Sequence, residues 1–354
     1  MKYPCIEIDL NKINHNTNVI VEKCLEKGIY TFVVTKVYCA DINIAEASMN
    51  SRAYGIADSR ISNLKKLEHI KCPKMLLRIP MLSEIEELVQ VVDIALVSEL
   101  DIIKKIGIEA IKIGKKQQII LMIDLGDLRE GVWYENAVKF VEEVLDVCGV
   151  ELVGIGTNLT CYGGVIPEDA NLNQLVSLKK EIEKEYGIKI KYISGGNSSS
   201  LYKVLNNTIN SEINMLRIGE SIVLGRETAY GDRVNNTYDD AFILKGEIVE
   251  LKEKPSMPIG NIGMDAFGNT PVFEDKGTVK RAIIAIGRQD VRVEGLMPIN
   301  EKIEIIGASS DHMILDVTNS EKEYRIGDII DFTMDYGAVL SAMTSEYVER
   351  VYRK

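Results

Sequence analysis

The apolar run TFVVT ends abruptly at Lys36. A lysine at the end of a buried strand is costly to keep charged, which favours a lowered pKa and a nucleophilic amine, the chemistry a Schiff base requires. The same residue also fits a solvated strand end. A second stretch with chemical capacity is Gly195, Gly196, Asn197, Ser198, Ser199 and Ser200. Its small residues, hydroxyls and free backbone N–H groups at a helix start suit a phosphate, although such runs also cap helices with no ligand. Arg217, with Gly219 and Glu220 behind it, either pairs with an acid such as Glu220 or points at a ligand. Two further segments gather polar groups: ILMIDLGDLREG, with Asp124, Asp127 and Arg129, and GIGTNLTCYGG, with Asn158, Thr160 and Tyr162. Six cysteines without paired short spacings and only three histidines make no zinc signature, so no metal is expected.

These residues need elements to bring them together. An opening strand at 5–10 precedes a helix of about 12–27, which Asp9 or Asn11 can cap. Strand-like segments then recur at 30–35, 52–56, 74–79, 94–97, 118–124, 151–156, 190–194 and 213–217. Charged helical stretches separate most of them, at 42–49, 58–68, 82–90, 99–115, 134–147, 168–186 and 198–205. Short apolar strands alternating with helices in this number predict a (β/α)8 barrel, whose active site lies where strands end and βα loops begin. A doubly wound sheet would use fewer strands, and no GxGxxG follows the first of them. Every residue singled out above falls at such a strand end. A phosphate site built from the seventh and eighth loops is a recurrent barrel device.

From about residue 235 the texture changes to alternating segments, AFILKGEIVEL, KRAIIAIG, EKIEIIGASSDHMILDVT and IGDIIDFTM, joined by short turns. They predict a separate antiparallel β domain over 235–354, after a barrel domain over 1–234, with NNTYDD at 235–240 as the junction. The strand at 5–10 has no barrel partner in sequence order and is expected to pair with that β domain.

A net charge of -11 without a polybasic run argues against nucleic acid and anionic membrane as partners. MKYPCIEIDL alternates like a strand and not like a signal peptide, and no apolar span has the length a bilayer requires. The expectation is a soluble cytoplasmic protein acting on a small molecule.

The combination of TKVYCA, IDLGDLREG, GTNLTCYG, SGGNSSS and RIGESIVLG, in that order and followed by a β domain, resembles the alanine racemase-like enzymes, which use pyridoxal 5'-phosphate on a barrel. The likeness covers nearly the whole chain. More narrowly, LLRIPMLSE, GIGTNLTCYGG, GRETAYG, IGRQDV and GASSDHMILDVT are similar to the ornithine racemase branch. The resemblance implies that Lys36 holds the cofactor as a Schiff base and serves as one of two proton-transferring groups. It implies that Asn197, Ser198 and the backbone N–H groups around Gly219 and Glu220 hold the phosphate, that Arg217 faces the pyridine nitrogen, and that Asn158 lies near the ring. Arg129 would reach the substrate carboxylate. Tyr38 is a candidate for the phosphate, since Ala40 stands where the family has a phosphate-binding tyrosine.

One departure concerns the second face of the substrate, where racemisation needs another base. Alanine racemases take a tyrosine from the partner subunit's β domain, but the matching stretch here is AIGRQDV, with Arg288 at that place. Arginine is a poor proton acceptor. A neighbour must act, with Asp290, Asp311 and His312 as candidates and Tyr38 and Tyr162 as others, or Arg288 has turned to carboxylate binding. Asp127 replaces a methionine near the substrate, so Asp127, Asp290 or Asp311 is expected to receive a distal ammonium such as that of ornithine. The implied protein is a homodimer with composite sites, racemising ornithine by two bases. Broad-specificity or alanine racemisation, a pyridoxal phosphate carrier, and an aldolase or decarboxylase are the other readings.

Overall fold

Nine segments of the first two thirds of the chain form strands: β2 (Tyr30–Val34), β3 (Gly55–Asp58), β4 (Lys74–Leu76), β5 (Ile94–Val97), β6 (Gln117–Asp124), β7 (Val132–Trp133), β8 (Val150–Gly156), β9 (Tyr192–Ser194) and β10 (Met215–Ile218). They follow the opening strand β1 (Cys5–Asp9) in a computed structural model that describes residues 2–265, 267–268 and 270–354. The chain divides into two units, Leu10–Asp239 and the residues up to Asp9 together with Asp240–Lys354.

In the first unit, β2–β6 and β8–β10 pair in parallel, and β10 against β2 and β5 against β6 complete a closed eight-stranded ring. These strands are buried along almost their whole length, which is why they read as unbroken apolar runs and not as alternation. Phe32, Met75, Leu96, Ile120, Val153 and Met215 are among the buried side chains of one core cluster. A second cluster joins Leu121, Ile123 and Ile155 to Val141, Leu175 and Ile182 of the surrounding helices. The two-residue strand β7 lies beside the end of β6, with Ile123 opposite Val132 and Asp124 opposite Trp133. It is too short to leave a periodic signal.

The helix Leu10–Leu25 explains where this unit ends. Its fully buried Asn16 grips Tyr238 from both sides, donating to the Tyr238 carbonyl at 2.7 Å and accepting from its N–H at 2.7 Å. His15 meets the Asn236 carbonyl at 2.8 Å. Residues 235–239 therefore pack with the barrel unit, a few residues beyond the boundary expected from composition.

The second unit is built on β11 (Phe242–Pro255), β12 (Thr278–Ile284), β13 (Leu296–Pro298), β14 (Glu304–Ala308), β15 (Met313–Asp316), β16 (Ile329–Met334) and β17 (Glu349–Arg353). The order β13-β16-β11-β12-β15-β14 is antiparallel throughout. Strand β1 adds to it, antiparallel to β11 and parallel to β17. A bulge between Ile248 and Glu250 bends the 14-residue β11 so that one strand serves both halves of the sheet. A helix at Tyr336–Thr344, capped by Asp335 through the Ala338 N–H at 2.8 Å, was not expected in a stretch read as β. Among the described residues no helix is long and apolar enough to cross a membrane.

Candidate active site

Lys36 opens a single 3-10 turn, Lys36–Tyr38, which Thr35 separates from the end of β2. Thr35 anchors that turn to the neighbouring strand end: its hydroxyl donates to Asp58 at 2.6 Å, and the Ala40 N–H returns to the Thr35 carbonyl at 3.1 Å. Asp58 is buried, which raises its pKa, while Thr35, Asn63 and the Arg60 N–H work in the other direction. Cys39 and Ala40 both take positive φ, 54° and 52°, so the chain accepts local strain immediately behind the lysine. The Lys36 side chain is partly buried, and among the described residues its amine has no hydrogen-bond or ion-pair partner.

Tyr38 is different. Three residues make a 3-10 turn, so positions 36 and 38 leave it in different directions. Tyr38 is fully buried, and burial raises its pKa. Its hydroxyl is buried without a hydrogen-bond partner among the described residues.

The loops after β8, β9 and β10 converge on Arg217. This guanidinium, buried in the barrel unit, donates to the Ser194 hydroxyl, to the Thr157 carbonyl at 2.8 Å and to Asn158 Oδ1 at 3.4 Å. All three acceptors are neutral. Burial pulls its pKa down to about 10, which still leaves it charged at neutral pH. Glu220, the acid expected to pair with it, binds Arg226 at 3.1 Å. Asn197 joins the same network, donating to Asn158 Oδ1 and to the Leu159 carbonyl, both at 2.9 Å, and accepting from the Ser199 N–H at 2.7 Å. Ser199 and Ser200 spend their hydroxyls on the carbonyls of Leu159 and Gly195. Ser198 instead faces the N–H groups of Gly219 and Ser221, which flank Glu220, each at 3.3 Å. Gly219 sits against β2, where an added Cβ would come within 3.0 Å of Val34, two residues before Lys36. The two phosphate-type loops and the lysine turn therefore meet on adjacent strand ends.

The β6 loop holds the remaining barrel candidates. Asp127, 1% exposed, accepts from the N–H groups of Cys161, Tyr162 and Val165 at 3.3, 2.9 and 3.1 Å. Its carboxylate thus staples the 157–165 loop to the 125–131 loop. The expectation that Asp127 receives a substrate ammonium is corrected on that ground, since both of its oxygens are already used. Tyr162, on the stapled loop, is 76% exposed. Arg129 forms a two-point ion pair with its neighbour Glu130, through Nε and Nη2.

Within the β unit the other candidates also gather. The Arg288 and Gln289 N–H groups bond the carbonyls of Ser309 and Ser310, each at 3.0 Å, drawing together the turns that carry Arg288, Asp290, Asp311 and His312. Gly287 is required there, because a Cβ would lie 2.3 Å from the Ser310–Asp311 backbone. Asp290 is buried and accepts from the Gly287 N–H at 2.8 Å, which fastens its own turn. Asp311 and His312 are exposed and paired at 3.2 Å, with Ser309 also donating to Asp311, and these bonds hold the Asp311 carboxyl below its ordinary range. Arg288 pairs with Glu294 and lies 5.0 Å from the centre of the Phe267 ring.

The barrel loops fit pyridoxal 5'-phosphate by their donor chemistry. A lysine without a partner among the described residues, a buried cation whose described acceptors are neutral, and a serine hydroxyl beside two backbone N–H groups match an aldehyde carbon, a pyridine nitrogen and a phosphate in turn. Two hydroxyls in the same loops, Thr157 Oγ1 and Ser221 Oγ, are buried without a hydrogen-bond partner among the described residues. Unpartnered buried polar atoms are rare, and their position suits a polar ligand. Thr157, Ser194, Ser221 and Glu130 were missed in the sequence. The first two sit at strand ends and were legible on that basis. Ser221 and Glu130 carried no signal of their own.

The family model described as "Alanine racemase, N-terminal domain" matches residues 8–227. Over 349 residues the chain is 49% identical to the ornithine racemase of Acetoanaerobium sticklandii, covering 98% of this chain and 99% of that one. It is 42% identical over 354 residues to the lysine racemase of Thermotoga maritima, covering 99% of each. The alanine racemase of Bartonella henselae, solved with covalently bound pyridoxal phosphate, has the same fold, with a TM-score of 0.74 at 16% identity and 100% of both chains covered. The chain belongs to the alanine racemase family.

Proposed function

We propose that this chain is a pyridoxal 5'-phosphate-dependent racemase interconverting L- and D-ornithine. The observation that carries the chemistry is Arg217, a buried guanidinium whose only described hydrogen-bond partners are neutral, beside the phosphate-type loops. The substrate class rests on the two full-length relatives, whose names specify ornithine and lysine. When bound, the cofactor would supply the electron sink that acidifies the substrate Cα–H. The protein's own groups divide the rest. Ser198 with the N–H groups of Gly219 and Ser221 binds the phosphate, supported by Asn197, and Asn158 holds Asn197 and Arg217 in register. Arg217 keeps a permanent charge at the pyridine nitrogen and so disfavours its protonation, which limits the life of a carbanion and the side reactions open to it. Lys36 holds the cofactor and moves the proton on one face of Cα, and Arg129 orients the α-carboxylate. The exposed His312–Asp311 pair serves the opposite face, with Arg288 beside it, in a homodimer where one subunit's β unit completes its partner's site.

Incubation of the purified protein with pyridoxal 5'-phosphate and single L-amino acids tests this. Optical rotation of L-ornithine should decay to zero, with a visible cofactor band that Lys36→Ala removes. A band without loss of rotation would mean a carrier, and a band unchanged in Lys36→Ala would overturn the cofactor assignment.

A further inference from the structure

The Arg129–Glu130 pair raises a problem for any substrate. Glu130 occupies the Nε–Nη2 edge of the Arg129 guanidinium in the two-point geometry. If Arg129 binds the α-carboxylate, as the proposed function holds, and does so through that edge, Glu130 has to leave. The side chain of Glu130 is only 17% exposed, so once displaced it would be a largely enclosed carboxylate without a counter-ion. Its loop offers little freedom to escape into solvent. Asp124 accepts from the Gly126 and Leu128 N–H groups at 2.8 and 3.2 Å, Asp127 staples the middle of the loop, and β7 ties its end back to β6. Glu130 also lies within the electrostatic reach of Arg217: its charge is the leading influence that opposes the burial of that guanidinium. The carboxylate therefore belongs to the barrel mouth and not to the outer surface.

We propose that Glu130 selects a basic amino acid by exchange, yielding the Arg129 fork to the substrate α-carboxylate and taking the substrate's distal ammonium in return. For a diamino acid one ion pair is replaced by two. For a neutral amino acid one pair is only exchanged for another, and Glu130 is stranded. Discrimination thus comes as much from the penalty on the wrong substrate as from attraction to the right one. The role expected of Asp127 passes to a residue three positions later, which the backbone has not already claimed.

The test compares ornithine with norvaline, its isostere lacking the distal amine, in wild type and in Glu130→Gln holoenzymes. Glu130→Gln should lower kcat/KM for ornithine about 10- to 100-fold, the range for losing a hydrogen bond to a charged group, and raise it for norvaline by freeing Arg129. Glu130→Asp, which keeps the charge, should retain a preference for ornithine. The second readout is the dissociation constant of α-methylornithine, which has no Cα proton to lose, against that of α-methylnorvaline, measured by calorimetry. Wild type should favour the amine-bearing compound and Glu130→Gln should not. Equal losses for both substrates, or an unchanged preference in both assays, would overturn the proposal. If wild type racemised neither amino acid, the proposed function would fail while the calorimetric comparison still decided the role of Glu130.

Discussion

Asp127 and Glu130 stand in one loop and hold opposite kinds of partner. Asp127 is satisfied by three backbone N–H groups of a loop more than thirty residues away, so its charge is spent on architecture. Glu130 is satisfied by a side chain that a substrate can compete for. Residue type does not distinguish them, but what their oxygens touch does. In Asp127→Asn the acceptor charge is lost while the size is kept, and one oxygen becomes a donor facing other donors. That variant should unfold with a stability lower by about 1–3 kcal/mol in urea melts, the range for leaving buried donors unsatisfied. Its kcat/KM should fall by the same factor for ornithine and norvaline, since the whole 157–165 loop loosens. A loss confined to ornithine would show that Asp127 meets the distal amine after all.

At the level of elements, the barrel mouth is made by loops that return tightly to the strands they leave. Gly131, at φ 134°, passes so close to the end of β6 that an added Cβ would lie 2.5 Å from the Asp124 nitrogen. Gly164, at φ 69°, has nothing within 4 Å of the same position. Gly164→Ala should therefore cost about 1–2 kcal/mol, the left-handed penalty alone. Gly131→Ala should cost more, because the β6–β7 contact must also open, and it should reduce ornithine turnover by moving Arg129 and Glu130. Paired urea melts with steady-state kinetics separate the two terms, and equal costs would mean that the β6 loop relaxes freely. The same contrast explains what was legible in the sequence. Strands buried on both faces leave apolar runs, and the polar residue near the end of each, Lys36 just beyond β2 or Arg217 within β10, follows from counting. Asp127 was misplaced because its partners are backbone groups of a distant loop, invisible to any local pattern. The helix at Tyr336–Thr344 escaped because YGAVLSAMT is mostly small and apolar, with no polar face to mark a helical period.

At the scale of the whole molecule, the candidates for proton transfer are divided between two units. Lys36 and the cofactor-type loops belong to Leu10–Asp239, whereas Arg288, Asp311 and His312 belong to the β unit. The proposed homodimer joins these sets across subunits, and this has an arithmetical consequence. Lys36→Ala removes one half of every site and Arg288→Ala impairs the other half, so each homodimeric variant should be nearly inactive. Dissociated together in equal amounts and allowed to reassociate at random, half of the dimers would pair one variant with the other. Each such dimer carries one site with Lys36 and Arg288 both intact and one site with neither. Recovered activity should approach about a quarter of the wild-type value. The visible cofactor band should come only from subunits that keep Lys36. The measurement is ornithine turnover before and after mixing, with each variant reassociated alone as the control. No recovery above those controls would mean that each subunit's β unit serves its own barrel, and the composite site would be abandoned in favour of self-contained subunits.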